Sequence, residues 1–309
     1  MNLPSKKTIS VVICALNEEK NIGLLLNDIL EQKVSPEFEA HFMLKRILVV
    51  SDGSIDTTAD IAREYMRKDS RVELIENPQR IGKIFSLNKA FNHIDEDYAV
   101  LFDADVRLET NTIDRLAVPF ITRDYDLIGG NPVPYKPESI FNIAEHASLF
   151  SWLLVQRIKT AHPLSIYSAH GRILMLSKKL YKELHIDELS TPGDDQYIYL
   201  KANHNFCYQK SAEVRYRMPA SSADYLKQNV RFRTAKQMRG MNTATERIDE
   251  EFKVENKFSV LLATAVKHPY NFFWWVILYT IGYAKFALQF KGKKNNDFRK
   301  VWGEVTSTK

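Results

Sequence analysis

Two carboxylates separated by one residue, Asp103-Ala104-Asp105, directly follow the apolar run YAVLF. Hard oxygen ligands of this kind suit Mg²⁺ or Mn²⁺, and an ion held there could bridge two phosphates and stabilise charge building on a departing diphosphate. Taken by itself, a D-x-D after a strand is a common turn or helix cap. Asp52, in SDGSIDTT, can accept hydrogen bonds from ribose hydroxyls or a base N–H, and Lys83, near a helix start, can meet phosphate oxygen. Plain alternatives stand beside both: Asp52 and Asp56 as turn and cap residues with Ser54 satisfying the backbone, and Lys83 as a solvated lysine. Downstream, Asp194-Asp195 precedes a helical stretch, where one acid can take an acceptor's proton and the other can cap the helix. Arg231, in Gln228-Asn229-Val230-Arg231-Phe232, can form forked hydrogen bonds to a diphosphate, and Phe232 can stack on a sugar. His170 can bond a substrate or be satisfied structurally.

Such residues need a scaffold, and the chain supplies an alternating one. ISVVIC, RILVVS, RVELIE, YAVLF and DLIGG are short apolar runs separated by helical stretches, a βαβα pattern. Ile22, Leu25, Leu26, Ile29 and Leu30 share one helical face, and Ile61, Ala62, Tyr65 and Met66 share another. The strand runs are apolar almost throughout, as expected of parallel strands covered on both sides by helices. A doubly wound, mostly parallel α/β sheet is therefore predicted. In such sheets ligands bind beyond the carboxyl ends of the strands, which directs attention to Asn17, Asp52 and Asp103. A long helical stretch is predicted over roughly 138–160. Soft boundaries near 110 and 240 divide the chain into 1–110, 111–240 and 241–309.

The ordered series ALNEE (15–19), SDGSIDTT (51–58), RIGKIFSLNKA (80–90) and DAD (103–105) resembles the family 2 glycosyltransferases, and the resemblance runs to about residue 235. It implies the glycosyltransferase A fold, a nucleotide-diphospho-sugar transferase type of sheet, with 1–110 as a nucleotide-sugar-binding half, 111–240 as an acceptor-binding half of the same catalytic domain and 241–309 as a C-terminal helical membrane-associated region. It also implies that Leu16, Asn17, Glu18 and Asp52 hold base and ribose, that Lys83 meets the diphosphate, and that Asp103 and Asp105 serve the donor and its Mg²⁺ or Mn²⁺. Gly171, with Arg172 beside it, lies where family members carry an acceptor-site loop. Asp194-Asp195 resembles the family's Glu-Asp pair, whose second acid is the catalytic base, implying Asp195. Gln228, Arg231 and Phe232 resemble its QxxRW element, with Phe in place of Trp. The implied activity is inverting, metal-dependent transfer of one sugar from a UDP- or GDP-sugar to a lipid-linked or envelope-glycan acceptor.

The bulk composition agrees with a globular enzyme. Of 309 residues, 45% are hydrophobic and 26% charged, enough to bury a full core. A net charge of +5 is too mild to signal nucleic acid, and none is expected as a partner, but it suits an anionic ligand or lipid surface. Two cysteines, Cys14 and Cys207, give no disulfide framework. Met1 to Thr8 is polar and lacks the apolar stretch of a secretory signal, so a cytosolic catalytic part is expected. The segment 271–290, NFFWWVILYTIGYAKFALQF, is long enough to cross a bilayer core. A single crossing would export the basic run KGKKNNDFRK, against the positive-inside tendency. An interfacial or re-entrant segment on the cytoplasmic membrane face is therefore expected, with Trp274, Trp275, Tyr279 and Tyr283 at the headgroups and Lys267, Lys285, Lys291, Lys293 and Lys294 among anionic lipids; the alternative is a buried helix. Competing functions are a polyprenyl-phosphate sugar synthase, a nucleotidyltransferase and a non-catalytic membrane-binding module.

Overall fold

The computed structural model describes residues 5–185, 193–239 and 257–290, with the side chains of 234–239, 257 and 290 excepted. The chain divides into two compact units, described separately below. The boundary expected near 110 falls inside the first unit, and residue 240 lies outside the described residues.

The first unit, within 5–133, 168–185 and 194–216, is built on β-branched runs. β1 (Lys7–Ala15) buries Ile9, Val11, Val12, Ile13 and Ala15, leading into α1 (Ile22–Leu30), whose Ile22, Leu25, Leu26 and Ile29 are buried in phase. α2 (Pro36–His41) begins with proline at its first position and is capped by Ser35, whose Oγ accepts from Phe38 N–H at 3.1 Å. β2 (Phe42–Asp52), α3 (Thr58–Lys68), β3 (Val72–Asn77), α4 (Lys83–His93) and β4 (Tyr98–Asp103) then complete the parallel half. Each fully buried Ile, Leu or Val of this half contributes about 1.5–3 kcal/mol of transfer free energy. One expectation fails here: Met66 is 40% exposed, because it lies one residue, about 100° of helix, past Tyr65 on the packed face.

Beyond β4 the chain runs through β5 (Val106–Leu108), α5 (Thr112–Ala117), α6 (Pro119–Thr122) and β6 (Leu127–Pro134), and returns as β7 (Ile173–Ser177), α8 (Lys178–Glu183), α9 (Asp194–Lys201) and β8 (Phe206–Tyr216). The helical segment between β5 and β6 is two short helices, broken where Pro119 starts the second. The strand order is β3-β2-β1-β4-β7-β6-β8-β5, and β7 runs antiparallel to both β4 and β6. The sheet thus keeps its parallel half and adds a mixed half.

This order positions the acidic triplet. β1 lies between β2 and β4, so the chain's crossover places the carboxyl ends of β1 and β4 side by side, with Cys14 opposite Asp103. Directly after β4 the chain leaves for the far edge, where β5 pairs antiparallel with β8 and Val106 faces Tyr216. At the amino ends of the same strands, Glu96 is buried and accepts from Ser10 Oγ (2.6 Å), Asp95 N–H (3.0 Å) and Arg46 Nε (3.3 Å).

The second unit contains α7 (Ile143–Ala161), α10 (Ser222–Arg239), α11 (Lys257–Lys267) and α12 (Pro269–Phe290). α7 begins five residues later than the sequence pattern predicts, at a cap where Asn142 Oδ1 accepts from Glu145 N–H. Its Phe150 is fully buried against the rings of Phe272 (5.3 Å) and Trp275 (5.2 Å) of α12. α12 also meets α10: a β-carbon on Gly282 would lie 3.4 Å from Asn229 Cβ, and the Arg233 guanidinium lies 4.2 Å from the Tyr279 ring. The outward faces remain apolar, with Phe258, Leu262 and Val266 of α11 and Phe273, Val276 and Leu288 of α12 exposed. Among the described residues no helix is long and apolar enough to cross a membrane. Lys291, Lys293 and Lys294 lie outside the described residues.

Candidate active site

The loops after β1 and β2 are braced against each other. Asn17 adopts a left-handed conformation (φ 52°), which asparagine tolerates better than most residues. Its N–H donates to Ser54 Oγ (3.1 Å), and its Oδ1 accepts from Ile55 N–H (2.9 Å). Glu18, buried, donates its N–H to Thr58 Oγ1 (2.7 Å) and accepts from Asn21 Nδ2 (2.8 Å); Leu16 is half-buried beside them. Asp56 takes the plain role open to it, accepting from Thr58 N–H and Oγ1 at the start of α3. Burial opposes its ionisation, but those bonds hold its carboxyl below the usual range.

Asp52 is equally committed to its own chain. It is 4% exposed; Oδ1 accepts from Ile81 N–H (2.9 Å) and Asn77 Nδ2 (3.1 Å), and Oδ2 accepts from Gly82 N–H (2.8 Å). The next residue, Gly53, has φ +68°, and a β-carbon there would come within 2.3 Å of Arg80 N. The DGS turn therefore grips residues 79–82, immediately before α4 and Lys83.

From the first residue of α4, Lys83 sends its Nζ between two carboxylates, 2.8 Å from Asp103 Oδ1 and 2.9 Å from Asp194 Oδ2. Burial works against its charge, yet Asp103 and Asp194 outweigh that and raise its pKa well above normal. Asp194 and Asp195 form the first turn of α9, where the helix dipole favours negative charge. Asp195 accepts from Gln196 N–H (2.8 Å) and Gly171 N–H (3.2 Å). A β-carbon on Gly171 would stand 3.6 Å from both Lys83 Nζ and Asp195 Cβ, so the Gly171 loop adjoins the lysine and the acid together. Burial, reinforced by the like charge of Asp194, pushes the Asp195 carboxyl up to about 6, against the pull of Lys83. Such a pKa suits a general base working near neutrality.

Asp105 is also pushed up, chiefly by burial and further by Asp103, while Arg172 pulls it back. The Arg172 guanidinium lies 4.0 Å from the Tyr216 ring, and its buried Nε finds no hydrogen-bond partner among the described residues. His170 accepts from Arg172 N–H through Nδ1 (3.3 Å), a structural use of that ring. Cys14, at the end of β1, is pushed up to about 12 by burial and stays a neutral thiol rather than a nucleophile.

Asp103 and Asp105 are chemically fit to hold a hard divalent cation. Among the described residues no group of three or more His, Cys, Asp or Glu side chains could hold a metal ion by itself. Mg²⁺ commonly takes one or two carboxylates and completes its shell with substrate phosphates, which matches this pair.

Gln228, Arg231 and Phe232 belong to the second unit, on α10, where Phe232 is 58% exposed and the Arg231 guanidinium lies 5.7 Å from its ring. Sequence reasoning missed Tyr216 and the Ile81-Gly82 turn. The β-rich run FCYQKSAEVRY would have marked the first as a strand end, and the glycine of RIGK is the only local signal for the second.

The family model described as glycosyl transferase family 2 matches residues 10–184, more than half of the chain. The chain belongs to that family. Among curated relatives, this family 2 chain is 29% identical over 97 residues to a dolichyl-phosphate beta-glucosyltransferase of Trichomonas vaginalis, covering 31% of this chain and 30% of the relative. It is 32% identical over 124 residues to an undecaprenyl-phosphate 4-deoxy-4-formamido-L-arabinose transferase of Edwardsiella ictaluri, covering 39% and 36%. The chain thus spans about a third of the length of these relatives. Its fold is similar to that of the mannosyltransferase PcManGT of Pyrobaculum calidifontis, solved with GDP-Man and Mn²⁺, at a TM-score of 0.57 and 17% identity over 96% of this chain and 79% of that one. In this family 2 chain the matched stretch carries the ALNEE, DGS, Lys83, DAD and Gly171 elements, while Asp194, Asp195 and α10 lie beyond it.

Proposed function

We propose that the protein is an inverting glycosyltransferase that moves one sugar from a UDP- or GDP-sugar to a lipid-linked or envelope-glycan acceptor at the cytosolic face of a membrane. The observation that carries this reading is Lys83 Nζ held between Asp103 and Asp194 at the carboxyl end of β4, with the neighbouring Asp195 accepting from Gly171 N–H. Donor groups come from residues up to about 110, with Leu16, Asn17 and Glu18 at the nucleoside and Lys83 at the diphosphate; acceptor groups come from 111–240, with Gly171 and Arg172. Gln228, Arg231 and Phe232 serve the acceptor or the diphosphate. A Mg²⁺ or Mn²⁺ ion on Asp103, Asp105 and the diphosphate would supply charge neutralisation for the leaving group.

The chain's own residues then do the following. Lys83 stays charged and offers a donor to the diphosphate, a role it can assume by exchanging a carboxylate for a phosphate oxygen. Asp195 takes the proton of the acceptor hydroxyl as its oxygen bonds to the anomeric carbon. The bond from that carbon to the diphosphate oxygen breaks on the opposite face, and the nucleoside diphosphate leaves with the electron pair, which inverts the configuration. The exposed apolar faces of α11 and α12, with Lys267 and Lys285, support lipid contact through 271–290.

A second reading, a polyprenyl-phosphate sugar synthase, is favoured by the names of the two curated relatives. A phosphate acceptor is already ionised, so Asp195 would matter less. Labelled UDP- and GDP-sugars supplied with polyprenyl phosphate or glycolipid in vesicles, with extraction of labelled lipid and NMR of the new anomeric centre, test both. Inverted product on a hydroxyl acceptor supports the first reading, product only on phosphate supports the second, and retained configuration overturns the mechanism.

A further inference from the structure

The second unit holds an arginine whose donors its described residues leave unused. Arg233 lies on α10 one turn past Asn229, where α10 and α12 approach closely enough that a β-carbon on Gly282 would stand 3.4 Å from Asn229 Cβ. Its guanidinium lies across two rings of α12, 4.2 Å from Tyr279 and 5.1 Å from Tyr283. Nε and Nη2 are both buried, and among the described residues neither has a hydrogen-bond partner. These two N–H groups form one edge of the guanidinium, a fork that matches two oxygens of a phosphate or carboxylate. The ring faces attract the charge but give the fork no acceptor oxygen. A shielded cation with unused donors is costly until an anion joins it.

The surroundings indicate which anion. Val276, Tyr279 and Tyr283 share one face of α12, and all three are exposed, Tyr279 by 41% and Tyr283 by 58%. Ile281 and Leu288 of the same helix and Phe258, Leu262 and Val266 of α11 add exposed apolar surface. Tyrosines beside such a surface sit at the level of lipid headgroups, where phosphate is the abundant anion. Tyr283, the more exposed and more distant of the two rings, is the cover over the fork, and an exposed side chain changes rotamer within nanoseconds.

We propose that Arg233, with Tyr279 and Tyr283, forms a site for the phosphate of an anionic membrane phospholipid. Its oxygens accept from Nε–H and Nη2–H once the Tyr283 ring turns aside, and its acyl chains lie along the apolar faces of α11 and α12. The inference rests on the lipid-contact reading of 271–290 above. A choline headgroup is disfavoured because its cation would stand beside the guanidinium.

Sedimentation with vesicles of phosphatidylcholine, with or without phosphatidylglycerol, at low and at ~0.5 M salt, compares wild type with Arg233→Gln, Arg233→Lys and Lys285→Gln. Arg233→Gln is expected to lower binding to phosphatidylglycerol vesicles about tenfold at both salt concentrations, and binding to phosphatidylcholine by less than about twofold. Arg233→Lys keeps the charge but not the fork; it should lose most of the same preference, and it serves if Arg233→Gln does not fold. Lys285→Gln removes an exposed charge, so its effect should disappear in high salt. Full binding by Arg233→Lys, or a loss in Arg233→Gln that salt abolishes, makes Arg233 a diffuse surface charge and overturns the proposal. Calorimetric titration with soluble dihexanoyl phosphatidylglycerol and with inorganic phosphate separates the sources of the anion. Lipid binding that is lost in Arg233→Gln is expected; binding of inorganic phosphate alone, or of neither, overturns the proposal. A wild type that binds the soluble lipid but sediments with neither vesicle overturns the lipid-contact reading and leaves the site standing.

Discussion

At neutral pH the Asp195 carboxyl, raised to about 6 by burial and by Asp194, is mostly ionised and able to accept a proton. The sign follows from the direction of the shift: a raised acid exists as the base only above its own pKa, so activity is lost as pH falls through about 6, not through the ordinary carboxylate range near 4. With that value about a tenth of the enzyme carries the base form at pH ~5 and about nine tenths at pH ~7, so kcat/KM should rise about tenfold between them. Asp195→Asn keeps the side chain's size and an acceptor for Gly171 N–H but removes the base. It should cost about 10²–10⁴-fold in kcat and abolish the acidic limb, with nucleoside diphosphate affinity little changed. Initial rates of nucleoside diphosphate release with a hydroxyl acceptor, at constant ionic strength, give both curves. A wild-type profile flat through this range, or an Asn variant keeping both its rate and the same limb, would refute the assignment of Asp195 as base.

Three further outcomes follow from other parts of the molecule. Glu96, held down to about 2 by Ser10, the Asp95 N–H and Arg46 against the cost of its burial, should stabilise the fold above pH about 4.5 and lose that contribution as pH falls towards 2. Glu96→Gln should therefore destabilise by about 2 kcal/mol at neutral pH, after discounting the full shift for the partly exposed Arg46, and the difference should vanish in acid; denaturant titrations across pH check it. Gly53→Ala forces a β-carbon to within 2.3 Å of Arg80 N at φ +68° and should cost about 3 kcal/mol or more, read as a fall in Tm together with weaker diphosphate binding. Phe273→Asp combined with Leu262→Asp should lower sedimentation with phosphatidylcholine–phosphatidylglycerol vesicles several-fold while leaving nucleotide binding intact; unchanged sedimentation would remove these faces as the lipid contact.

The parallel half was legible in the sequence because apolar runs such as ISVVIC and YAVLF are buried on both faces and need no knowledge of distant partners. The residues at its carboxyl edge were legible for the same reason: Asn17, Asp52, Lys83 and Asp103 follow directly from where strands end and helices begin. What local pattern does not encode is pairing over distance. β5 is three residues long and is a strand because β8, over a hundred residues later, lies against it, and that pairing brings Tyr216 and the Arg172 stacked on it to Asp105. Likewise the backbone donors to Asp52, from Ile81 and Gly82, lie about thirty residues away and leave no mark in the local pattern around it. Met66 fell on the wrong side for a simpler reason, since its face differs from that of Tyr65 by one step of the helix.

The most direct test of the central claim is release of nucleoside diphosphate from UDP- and GDP-sugars by the membrane-bound protein, with and without Mn²⁺ or Mg²⁺, comparing wild type with Asp105→Ala. Metal-dependent release from one donor, lowered by about 10²-fold or more in Asp105→Ala with the fold intact, is expected if Asp103 and Asp105 serve the leaving diphosphate. Equal release by wild type and Asp105→Ala, or release of a nucleoside monophosphate in place of the diphosphate, would contradict it.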